Sequence, residues 1–78
     1  MSKNIFEFDR IQFGDAYTHD KDLFEEYKLL IRKKLEQGTI VLFKEKYIKN
    51  DEEFTEDYAT FESIDSFNKW VDTKFPKK

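Results

Sequence analysis

Seventy-eight residues, with 17 acids against 14 lysines and arginines and a net charge of −3, make one domain near the lower limit at which a single apolar core suffices. With no Cys in the chain, a disulfide frame, a thiolate metal site and a cysteine nucleophile are excluded. No run approaches the roughly 18 apolar residues of a membrane helix, and nine Phe, four Tyr and one Trp supply the core.

Met1-Ser2-Lys3-Asn4 lacks the apolar stretch of a signal peptide, so a cytoplasmic location is the expectation. In residues 5–13, Phe6 and Phe8 alternate in one phase and Ile11 and Phe13 in the other, with Asp9-Arg10 between them. That change of phase suggests a bulged strand or two short strands, and a helix through Ile5, Phe8 and Ile11 fits less well. Gly14-Asp15 breaks the pattern, and Ala16 to Lys21 reads as a loop.

The pattern then predicts a helix over 23–37. Asp22 and Glu25 offer a capping box, and Gly38 a left-handed stop. Leu23, Phe24, Tyr27, Leu30, Ile31 and Leu35 fall on one broad face, while Leu29 points away among charges. Acids precede bases along the segment, as the helix dipole favours.

Segments 39–48 and 54–62 are rich in β-branched and aromatic residues and flank the polar stretch Lys49-Asn50-Asp51-Glu52, which predicts a hairpin. The favoured register sets Ile48 opposite Glu53, Tyr47 opposite Phe54, Lys44 opposite Asp57, Phe43 opposite Tyr58, Leu42 opposite Ala59 and Ile40 opposite Phe61. Its flaw is Glu45 opposite Glu56, like charges at close range. Ser63 then caps a last helix over 64–75 with Asp65 in its first turn. Ile64, Phe67, Val71 and Phe75 form its buried stripe, with Trp70 at the edge. Pro76 ends it, and Lys77-Lys78 is a basic tail. The expected fold is one small α+β domain over 1–78, a mostly antiparallel sheet covered on one face by two helices.

Motifs for chemistry are sparse. His19 lies among Asp15, Asp20 and Asp22 without the fixed offsets of a metal site, so neither metal nor cofactor is expected. There is no G-x-S-x-G and no phosphate-binding glycine loop, and a carboxylate pair needs a water-excluding cleft that so short a chain has little room for. The expectation is a protein that is not an enzyme.

Charge is distributed unevenly. From Lys28 to Lys49 seven bases face two acids, and from Asn50 to Asn68 seven acids occur with no base. Two such neighbouring strands would neutralise each other, and the expected register favours this as the main reason for the split. The acidic stretch is also the candidate contact surface: Asp51, Glu52, Glu53, Glu56 and Asp57 imitate a row of phosphates, and Phe54 and Tyr58 supply anchors. The implied partner is a protein with a basic surface, and the implied role is that of an inhibitor, adaptor or regulator of a nucleic-acid-handling assembly. Leu29 and Trp70, on outer helix sides, are secondary contact candidates.

Two other classes stay open. In one, Phe43 and Tyr47 with Lys44, Lys46 and Lys49 stack and hold single-stranded nucleic acid, a reading opposed by the net negative charge. In the other, the chain is a structural subunit that forms a homodimer. In size, acidity and freedom from motifs the chain resembles the small host-takeover and anti-defence proteins of phages and mobile elements. That resemblance is one of style and transfers no residue.

Overall fold

The computed structural model describes residues 4–76. Met1–Lys3 and the basic tail Lys77-Lys78 lie outside the described residues. In chain order the elements are β1 (Ile5–Asp9), α1 (Arg10–His19), α2 (Lys21–Glu36), β2 (Ile40–Lys49), β3 (Glu52–Phe61) and α3 (Ile64–Lys74). The class is α+β, as expected, with β2 central in a sheet of order β1-β2-β3.

The N-terminal region departs from its sequence reading. Only Ile5–Asp9 is a strand, and the segment read as a second strand and a loop is a third helix, α1. Asp9 stands in extended backbone and caps it, its carboxylate accepting from the Ile11 and Gln12 N–H groups at 2.8 and 3.3 Å. Ile11 and Phe13 therefore do not share a face: Phe13 is fully buried and Ile11 is 40% exposed. Phe13, Ala16 and Tyr17, at i, i+3 and i+4, are the residues that α1 turns inward. Gly14 sits inside this helix without breaking it. Two helices now separate β1 from β2, and the chain returns parallel, with Ile5 opposite Ile40 and Phe8 opposite Phe43. The sheet is mixed, not mostly antiparallel.

Asp20 does two jobs between α1 and α2. Its N–H donates to the Ala16 carbonyl at 2.8 Å, closing α1, and its carboxylate accepts from the Leu23 N–H at 3.1 Å, opening α2. The cap is thus Asp20 and not Asp22, which lies in the first turn. Gly38, at φ +84, supplies the expected stop. The buried line of α2 is Phe24, Lys28, Ile31 and Leu35, so Leu30, expected in the core, is 38% exposed. Lys28 takes an inward position because its stem is apolar and its ammonium is satisfied. The ammonium lies 2.8 Å from the Glu25 carboxylate and 4.9 Å from the centre of the Phe24 ring.

The hairpin forms where expected, with a tighter turn. Asn50 and Asp51 both have positive φ (54° and 64°), the two-residue turn whose twist suits a hairpin and which Asn and Asp tolerate. From the turn to Lys44–Asp57 the expected register holds. Tyr58 is then an extra residue, a β-bulge, and beyond it every pair is shifted: Phe43 faces Ala59, Leu42 faces Thr60 and Val41 faces Phe61. The cause is the core. Without the extra residue Phe61 would oppose Ile40 and turn away from the helices, since a slip of one residue flips a strand's faces.

α3 begins at Ser63, whose hydroxyl accepts from the Ser66 N–H at 3.2 Å. All three helices pack on the sheet face that carries Phe8, Val41, Phe43 and Phe61. Phe13 is the hub of that core, its ring meeting those of Phe24 (4.8 Å), Phe43 (5.1 Å) and Phe75 (5.3 Å) between centres. On the other face Ile5, Glu7, Ile40, Leu42 and Lys44 have no helix over them among the described residues.

Candidate functional site

β1 stops opposite Lys44, so the two ten-residue strands of the hairpin continue without it as a two-stranded arm. Every residue from Lys46 to Tyr58 is exposed, which includes all seven residues of the acidic aromatic candidate. The strand alternation splits these between two faces. Phe54 and Glu56 lie on the helix side with Glu45 and Tyr47, whereas Glu53 and Asp57 lie on the open side with Lys44, Lys46 and Ile48. Asp51 lies in the turn at the tip, and Glu52 opens β3 beside it, opposite Lys49. The candidate is therefore an arm edged with carboxylates, not one flat patch.

On the helix side the rings of Tyr47 and Phe54 stack with centres 5.5 Å apart and planes 20° from parallel, at 36% and 39% exposure. The Tyr47 hydroxyl donates to Glu56 at 2.9 Å. This bond to a carboxylate, helped by local desolvation and by the charge of Glu56, raises the Tyr47 phenol above its ordinary value near 10. The like-charge pair Glu45–Glu56 is present, and both acids have an outlet. Glu45 lies 3.7 Å from the Arg10 guanidinium, and Glu56 accepts from Tyr47.

On the open side Lys44 bridges the three strands, 3.2 Å from Glu7 and 3.9 Å from Asp57. This is the only ion pair between β2 and β3 among the described residues. Lys46 faces Thr55, and Asp51, Glu52, Glu53 and Glu56 have no base within ion-pair distance among the described residues. Neutralisation between the basic and the acidic strand is thus partial. It acts as an ion pair at the base of the arm; at the outer end Lys49 stands opposite Glu52 without forming one, and Asp51, Glu53 and Glu56 have no base opposite them.

The other sequence candidates fare differently. Tyr58, in the bulge, is not opposite Phe43; its ring lies under the Arg10 guanidinium at 4.6 Å and 6.2 Å from Trp70, rooting the arm on α1 and α3. Leu29 is 62% exposed, as expected. Trp70 is not an outer residue: its indole packs against Phe43 (5.1 Å), Phe61 (5.2 Å) and Phe75 (5.4 Å). Phe43 is fully buried, which removes it from any base-stacking surface and corrects the nucleic-acid reading that used it. Two residues of the site were missed. Arg10 reaches the arm only because α1 begins there, and Ile48, at 77% exposure, shows its open-side position only once the register is known.

Elsewhere, a cleft of about 370 Å³ between the helices is lined by Tyr17, Phe24 and Phe75, with Lys21 and Lys28 balanced by Glu25 and Asp72. Among the described residues no group of three or more His, Asp or Glu side chains is placed to hold a metal ion, and no helix is long and apolar enough to cross a membrane. His19 ends α1 instead of lying in a loop. Compared with protein-family models, curated protein sequences and solved structures, the chain matches none of them.

Proposed function

We propose that the chain is a non-catalytic binding module whose hairpin arm captures a basic surface on a protein partner, as an inhibitor, adaptor or regulator. The observation that carries this reading is the arm itself: four carboxylates with no ion-paired base among the described residues, only Glu52 having a lysine opposite it, flank an exposed stacked pair of rings. Uncompensated charge of one sign speeds encounter with its opposite and rejects like-charged partners. Rings at the centre of such a surface supply the contact that charge alone does not, because desolvated aromatics dominate interface energies. Basic surfaces that accept rows of negative charge are those of proteins that handle nucleic acid, so an assembly of that class is the proposed target.

The test is capture of host proteins on immobilised chain, wild type against the triple variant Glu52→Lys, Glu53→Lys, Glu56→Lys. None of these residues is buried, and Asp51 is left alone because its positive φ suits Asp better than Lys. A partner held by the wild type should be lost by the variant. It should also weaken as salt rises from about 0.1 to 1 M, where the screening length falls from about 10 to 3 Å. A partner held equally by both chains refutes the proposal.

A further inference from the structure

We propose that the free edge of β3 pairs, backbone to backbone, with an extended basic segment of the partner, so that recognition adds a strand to this sheet. The inference rests on the arm being the contact surface and says how the contact is made. β3 is the outer strand, bonded to β2 on one side only. In an antiparallel pair the residues alternate between bonding across the pair and turning N–H and C=O outward. Counting from the two-residue turn, where Lys49 and Glu52 bond across, the outward residues are Glu53, Thr55 and Asp57.

Outer strands are ordinarily defended by charge, by proline, by a bulge, by shortness or by a covering element. From Glu52 to Asp57 this strand has no proline and no covering element among the described residues, and its charged guard is of one sign, acids that repel a like strand and attract a basic one. Its one irregularity is the bulge at Tyr58, which ends the regular seam. The charges decide what pairs there. A second copy would set acids against acids, for example Glu53 against Asp57, which is destabilising for directly opposed residues. A basic strand meets opposite charges on both faces, Glu53 and Asp57 on the open side and Glu56 on the helix side, with Phe54 between to receive an apolar side chain. The opposite margin of the arm carries Lys46 and Lys49, the wrong sign for the same ligand.

The probe is a short peptide alternating lysine and valine, compared with the same peptide N-methylated at every residue, which keeps the charge and has no N–H on either edge to pair with. Binding is followed by amide hydrogen exchange and by affinity, on wild type, Thr55→Pro and Lys46→Pro. Thr55→Pro keeps every carboxylate and removes an outward N–H, sparing the bonds to β2. The lysine–valine peptide should bind about tenfold or more tightly than its N-methylated form and slow exchange at Glu53, Thr55 and Asp57. That advantage should vanish in Thr55→Pro and persist in Lys46→Pro. The wild-type exchange pattern gives the answer even where a proline variant fails to fold. Equal binding of both peptides without amide protection overturns the edge and leaves the acidic surface standing. Protection at Lys46 and Ile48 instead places the seam on the wrong strand, and binding of neither peptide overturns both readings.

Discussion

Ile11→Ala and Phe13→Ala separate the helix at Arg10–His19 from the strand that the sequence suggests. In a strand the two side chains share a face and share a fate; in α1 they lie on opposite sides. Phe13 is fully buried among the rings of Phe24, Phe43 and Phe75, and removing such a ring costs about 3–5 kcal/mol. A domain of this size holds about 4–12 kcal/mol in total. With a urea slope of about 1.25 kcal/mol/M, Phe13→Ala should lower the unfolding midpoint by roughly 2.5–4 M, or leave no folded sample. Phe13→Leu keeps more of the volume and gives a measurable intermediate case. Ile11 is 40% exposed, and Ala is the better helix former, so Ile11→Ala should stay within about 1 kcal/mol of wild type. Urea unfolding followed by circular dichroism reads all three. If Ile11→Ala is as damaging as Phe13→Ala, the two side chains are buried alike and α1 is wrong.

Gly14→Ala should stabilise by about 0.5–1 kcal/mol, since the site is helical and an added Cβ would meet only Phe75 Cε1, at 4.0 Å; a loss in thermal unfolding would contradict this. Gly38→Ala should instead cost about 1–2 kcal/mol by the same measurement, because φ there is +84. Tyr47 should lose its phenolic proton above the usual pH, in ultraviolet titration. Its bond to Glu56 adds stability that is whole below pH of about 10 and lost as pH rises through the elevated value, and Glu56→Ala should bring the titration back down. No downward movement in that variant would mean that Glu56 is not the cause.

What the sequence disclosed and what it hid divide along physical lines. α2, the hairpin and α3 announce themselves because each buries a stripe of regular period and carries a stop or start residue, Gly38 and Ser63 among them. α1 was hidden because Ile11 and Phe13 imitate a period of two. Its own signals, the Asp9 cap and the Phe13, Ala16, Tyr17 spacing, run across a glycine that looks like a breaker. The bulge at Tyr58 was hidden because the expected register pairs good residues without a break from the turn onward, and only the burial of Phe61 beneath α3 requires the shift beyond Lys44. Of the candidate surface, the acids and their exposure were legible. Which face each takes was not, since that depends on the register, and Arg10 and Trp70 meet Tyr58 only through tertiary packing.

The most direct measurement of the central proposal is amide hydrogen exchange of the chain alone and in complex with a captured partner. The arm from Lys46 to Tyr58, exposed on both faces and short of compensating charge, should become protected, while the outer side of α2 around Leu29 exchanges as before. Protection on α2 around Leu29, with the arm unchanged, would contradict the proposal.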